Sequence, residues 1–142
     1  MAANLGIVKD KVQRILAENF NGVELGKAGN FTLRHESARL FIDFIPQETR
    51  VIVNLVAPLL LKVTPTPELF HYIAVHGDDY IFGHLSADET DDGVVVLFSH
   101  ALLGDYLDDE ELLASVRGVL GGGNELDDEL QAQFGGTKFH ED

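Results

Sequence analysis

Residues 39–56 read RLFIDFIPQETRVIVNLV, two apolar runs of strand length separated by Pro46-Gln47-Glu48-Thr49. Side chains along an extended chain alternate between faces, so Leu40, Ile42 and Phe44 share one side while Phe41 and Ile45 take the other. Val51, Val53 and Leu55 likewise oppose Ile52 and Val56. A sheet with one face in water alternates apolar with polar residues, and these strands do not. Both faces of the sheet therefore need cover, from helices or from a partner.

The neighbouring stretches extend this pattern. Phe31 to Glu36 is a further extended segment, with Phe31, Leu33 and His35 on one face, and Ser37-Ala38 joins it to the strand at Arg39. The two connections are short enough for antiparallel neighbours, which makes a meander. Pro58 to Val63 is a candidate extension of the third strand. Tyr80 to Ala87 and Gly93 to Ser99 form a last pair, joined by the acidic turn Asp88-Glu89-Thr90-Asp91-Asp92-Gly93, whose Asp-Gly step favours a hairpin.

Three helices are available to cover these five strands. Leu5, Val8, Val12, Ile15 and Leu16 recur at helical spacing up to Asn21-Gly22. Thr66-Pro67-Glu68 opens a short second helix, with a capping hydroxyl and Pro at the first helical position, that runs to about His76-Gly77. Leu69, Phe70, Tyr72, Ile73, Ala74 and Val75 surround most of its axis, so it must be buried nearly all round, inside the monomer or in a dimer seam.

The acids Asp108-Asp109-Glu110-Glu111 mark the start of the last helix. Gly121, Gly122 and Gly123 would each cost a helix about 1 kcal/mol relative to alanine, which argues for a break. Leu112, Leu113, Val116, Val119, Leu120, Gly123, Leu126, Leu130 and Phe134 nevertheless keep steps of three and four across them. One continuous helix with a smooth, closely packed patch is expected, stopping at Gly135-Gly136. The fold class is thus α+β: a five-stranded antiparallel sheet with flanking helices in the order α-β-β-β-α-β-β-α. Residues 1–136 form one domain and 137–142 a loose tail.

At 142 residues the chain can hide roughly 68% of its unfolded surface in a single core. Its 24 acids and 10 bases leave a formal charge of −14, which repels phosphate backbones, so no nucleic-acid partner is expected. The absence of cysteine removes disulfides, thiolate nucleophiles and Cys-type zinc sites and suits the reducing cytoplasm. Met1 to Asp10 has no signal-peptide pattern. The greasiest run, Val51 to Val63, is interrupted by Asn54 and Pro58 and is too short to span a bilayer, so neither export nor a membrane partner is expected.

No phosphate loop, nucleophile elbow, H-E-x-x-H or dinucleotide fingerprint is present. His71 and His76 stand about 140° apart around a helix and cannot share a metal as an i, i+4 pair would. His84 and His100 could meet across the last hairpin, but no third ligand suggests itself. Asp88-x-Thr90-x-Asp92-Gly93 faintly echoes a calcium loop, yet its twelfth position is Ser99 and strands flank it. Asp108-Asp109 and Asp127-Asp128 read as solvated or capping acids. No catalytic residue, metal or cofactor is expected.

The stretch Gly93-Val94-Val95-Val96-Leu97-Phe98, followed by Leu103-Gly104-Asp105-Tyr106-Leu107-Asp108-Asp109-Glu110-Glu111-Leu112, resembles the YbjN pattern of a strand leading into an acid-capped helix. The close, Asn124-Glu125-Leu126-Asp127-Asp128-Glu129-Leu130 and then Phe134-Gly135-Gly136, is similar too. The element order resembles that of type III secretion chaperones and YbjN-like domains, including the relatives called TY-Chap. Relatives tend to have alanine where this chain has Gly121-Gly122-Gly123. The resemblance implies a small acidic domain that often dimerises, binds extended segments of other proteins through apolar surface or sheet edges, and has no catalytic residues. Type III secretion itself is not implied.

The expected function is a non-enzymatic chaperone-like binding or regulatory module, cytoplasmic and homodimeric, whose partners are a second copy and a protein or peptide segment. Phe70, Ile73 and Ala74 are the candidate seam. Val51, Val53, Leu55, Leu59 and Leu61 are the candidate partner-facing strip, the alternative being that all eight fill the monomer core. Two competitors remain: a small enzyme with a pocket joining His84, His100 and a carboxylate, and a self-assembling accessory protein without a client.

Overall fold

The structure, a computed structural model, describes residues 4–26 and 29–139. Seven strands form one antiparallel sheet: β1 (Glu24–Leu25), β2 (Phe31–His35), β3 (Ala38–Pro46), β4 (Val51–Val63), β5 (His84–Thr90), β6 (Gly93–Leu103) and β7 (Thr137–Lys138). The order is β1-β2-β3-β4-β6-β5, with β7 paired to β4. The helices are α1 (Leu5–Asn19), α2 (Pro67–His76) and α3 (Asp109–Phe134). The expected five strands are all present, and the two additions, β1 and β7, are two-residue strands that carry no periodicity of their own.

β3 and β4 lie side by side, with Phe41 opposite Val56 and Ile45 opposite Ile52. Pro58, which cannot donate to a ladder, is tolerated because the β4–β6 register shifts between Pro58 and Leu60. The β5–β6 hairpin closes at Asp91-Asp92: Thr90 Oγ1 accepts from Asp92 N at 3.3 Å and donates to Gly93 O at 2.8 Å. The calcium-loop echo is therefore a turn satisfied by its own hydroxyl.

β5 starts at His84, later than the sequence suggests. Gly83 stands at φ +106°, and a Cβ there would lie 2.4 Å from the Phe98 ring. Residues 80–83 consequently form a loop, with the Tyr80 ring edge-on to Phe98 at 5.1 Å.

The anticipated caps are in place. Thr66 Oγ1 accepts from Leu69 N at 3.2 Å, with Pro67 at the first turn of α2, and Asp108 Oδ1 accepts from Glu111 N at 2.8 Å. α1 buries Val8, Val12, Ile15 and Leu16, and α3 runs unbroken through its three glycines. The glycines let α3 sit close on the sheet. A Cβ on Gly122 would come within 2.8 Å of Phe98, and one on Gly123 would touch Ala57 and Leu59 at 3.4 Å.

The loose tail needs correcting. Thr137 and Lys138 pair with Leu61 and Leu60, Lys138 forms an ion pair with Asp128, and Phe139 packs edge-on to Phe41 at 5.7 Å. Residues 140–142 lie outside the described residues.

Candidate protein-binding surface

The alternation of burial along β4 shows what the sheet does with its excess of apolar residues. Val51, Val53, Leu55 and Ala57 are completely buried, whereas Ile52, Asn54, Val56 and Pro58 are partly buried. α3 packs on β2, β3, β4 and β6, and α1 lies against α3 and β3, so both helices cover the first set. The second set belongs to the other face. There Ile45, Ile52 and Leu103 form one cross-strand row, and Phe41, Val56 and Ser99 another. Pro58 and Leu97 stand opposite each other beyond them. Asp43, Asn54 and Ala101 form a polar row between the first two. Ile45 is 45% exposed and Leu103 37%, and among the described residues no helix lies over these rows.

This geometry corrects the partner-facing strip. Val51, Val53, Leu55 and Leu59 are 0–2% exposed and fill the monomer's own core, and Leu61 is partly buried at the β7 pairing. Both faces of β4 read as apolar in sequence, and α3 takes the one on which Gly123 lies against Ala57 and Leu59.

The candidate seam residues lie on α2, whose Leu69 is anchored in the core. Phe70 and Ile73 are partly buried against that core, Ala74 is exposed, and the adjoining Val75 is 54% exposed. Tyr72 packs on Phe134 of α3 with ring centres 5.5 Å apart.

The histidines do not assemble. His84 is paired with Ser99 and shares the open face, while His100, the next residue on β6, points to the helix side. His100 Nδ1 accepts from Gly83 N at 3.2 Å, which places its proton on Nε2. Burial, with a smaller contribution from His84, pushes its pKa down. It lines a cavity of about 250 Å³ with Phe82, Leu102, Glu110 and Glu111, without His84. His76 Nδ1 lies 2.9 Å from Asp79 on the surface. Among the described residues no three His, Asp or Glu side chains are grouped to hold a metal.

Three further cavities were not foreseen. One, of about 640 Å³, lies between α1 and the β3–β4 turn and is lined by Ile7, Lys11, Arg50, Asp105 and Tyr106 among others. Asp105 accepts from Val51 N and from Asn4 Nδ2, both at 2.8 Å, and these bonds, the backbone one foremost, hold its carboxyl below the usual range. A second, of about 550 Å³, includes Glu68, His71, Tyr72 and Phe134. The third, of about 300 Å³, is lined by Phe20, Asn21, Leu33, Arg34, His35, Arg117, Leu120 and Gly121. No local sequence signal brings Arg34 and Arg117, which are 83 residues apart, to one cavity.

A helix-backed antiparallel sheet with apolar rows on its uncovered face is the architecture of the chaperone-like α+β class. Residues 6–142 match the family TY-Chap1, described as T3SS (YopN, CesT) and YbjN peptide-binding chaperone 1, and the chain belongs to that family of non-enzymatic peptide-binding chaperones. Two solved structures share the fold. The Yersinia pestis type III secretion chaperone SycH, in complex with a stable fragment of YscM2, is 10% identical with a TM-score of 0.56, over 84% of this chain and 98% of that one. The ExsC–ExsE complex contributes a chain 15% identical with a TM-score of 0.61, over 90% of this chain and 96% of that one. No curated protein matches this chain significantly. Among the described residues no helix is long and apolar enough to cross a membrane.

Proposed function

We propose that this chaperone shelters a segment of another protein on the open face of its sheet and works as a homodimer joined through the outer side of α2. The apolar rows around Ile45, Ile52, Leu103, Val56 and Leu97 carry the reading, with Ile45 and Leu103 exposed and the polar row of Asp43, Asn54 and Ala101 between the rows, because exposed apolar side chains bordered by polar ones on a face that no helix covers mark an interaction surface. Both structural neighbours were solved with a protein partner bound, which supports the same use. For the seam, Ala74 and Val75 are exposed beside half-buried Phe70 and Ile73. A chain without cysteine suits work in the cytoplasm.

Two substitutions at accessible positions separate the two surfaces. Ala74→Asp is expected to halve the light-scattering mass, and Leu97→Asp to leave the mass unchanged while abolishing capture of peptides from an array of unfolded-protein fragments. A wild-type mass that stays monomeric at high concentration removes the seam. A folded Leu97→Asp variant that captures the same peptides removes the open face as the receiving surface, and a dimer that captures none favours the accessory protein without a client.

A further inference from the structure

The cavity between the end of α1, β2 and the glycine step of α3 has an apolar floor and a cationic rim. Leu33 and Leu120 are 2% and 5% exposed, and Phe20 is partly buried against the core beside them. His35 and Arg117 are exposed around this floor, Arg34 lines it from the strand edge with its Cβ on the opposite face of β2, and no carboxylate lines the cavity. In a chain with 24 acids and 10 bases this runs against composition. The other three cavities described above each include at least one acid: Asp105 (with Lys11 and Arg50), Glu68, or Glu110 with Glu111.

The two arginines are also uncommitted. Arg14 is tied to Glu18 and Asp109, and Lys138 to Asp128, but Arg34 and Arg117 form no ion pair among the described residues. The Arg117 guanidinium instead stands 5.7 Å from the centre of the Phe20 ring, a cation–π contact that holds it beside the floor. At Gly121 nothing lies within 4 Å of where a Cβ would stand, so α3 leaves open space on this side.

We infer that this cavity takes the carboxylate of an Asp or Glu side chain from a bound protein segment, with an adjoining apolar side chain of the segment resting on Leu33 and Leu120. The inference rests on the peptide-binding function of the family. Guanidinium groups match carboxylates in geometry and charge, and covering the rim with a segment strengthens those bonds by excluding water. The net charge of −14 makes most of the surface unfavourable to acids, and this cavity has no carboxylate of its own to oppose one. The cavity thereby sets the register of the segment, and it rejects segments with lysine at that position.

The test is selection from a random peptide library displayed on phage, against the full chain at low salt. Wild type is expected to select peptides with an acidic residue beside an apolar one, and replacing that acid by its amide should weaken binding about tenfold. Gly121→Leu fills the cavity while raising helix propensity, so it should fold and lose these peptides, whereas Gly121→Ala should keep them. Arg117→Glu should shift selection toward lysine. Peptides selected without an acidic position, or bound equally well by folded Gly121→Leu, overturn the inference and leave the sheltering reading intact. A library that yields no binder at all overturns both.

Discussion

Gly121, Gly122 and Gly123 are chemically identical and adjacent, yet their surroundings give their replacements opposite signs. Alanine is favoured over glycine by about 1 kcal/mol in a helix interior, and at Gly121 a methyl group meets open space. Gly121→Ala should therefore stabilise the fold by up to about 1 kcal/mol. At Gly122 the methyl carbon would stand 2.8 Å from Cε2 of Phe98, whose side chain is completely buried. Overpacking of this kind costs about 1–3 kcal/mol, more than the propensity gain, so Gly122→Ala should destabilise. Urea denaturation of the two variants beside wild type checks both signs, and equal midpoints would contradict the close seating of α3. The unbroken helix was legible in the steps of three and four from Leu112 to Phe134. Which glycine faces the sheet was not, because that depends on where Phe98 arrives from a separate strand.

The elements with local signals were legible for the same reason. Thr66-Pro67 and Asp108 announce α2 and α3 through side chains that bond to backbone within three residues. β7 has no such signal. Two residues after a glycine pair show no period, and their pairing with Leu60 and Leu61 joins positions more than 70 apart in sequence. Its anchor is the Phe139 ring against Phe41, a contact on the open face that a linear reading cannot supply. Removing that ring should release the short strand without unfolding the domain, since β3, β4 and β6 hold one another independently of it. Phe139→Ala is accordingly expected to speed amide exchange at Thr137 and Lys138 while leaving the core strands protected. Unchanged exchange at those two amides would show that the backbone pairing and the Lys138–Asp128 pair suffice by themselves.

For the molecule as a whole, the arithmetic of sheet and helix was readable in residues 39–56, but the sequence assigned the exposed strip to the wrong side of β4. The bare face coexists with a net charge of −14, and the two act in opposite directions on solubility. Apolar rows favour association between copies, and like charge opposes it over a Debye length of about 8 Å at physiological salt. Near the sequence isoelectric point of about 4.6 the repulsion vanishes while the apolar rows remain. Wild type should therefore form larger assemblies as the pH falls from 7 toward 5 and the net negative charge shrinks. Raising salt at pH 7 should act in the same direction by screening. Leu97→Asp, which breaks an apolar row and adds one charge, should resist both treatments, as followed by dynamic light scattering. A wild type that keeps its size down to pH 5 would mean that the open face is not adhesive, and the sheltering function would then have to lie elsewhere on the molecule.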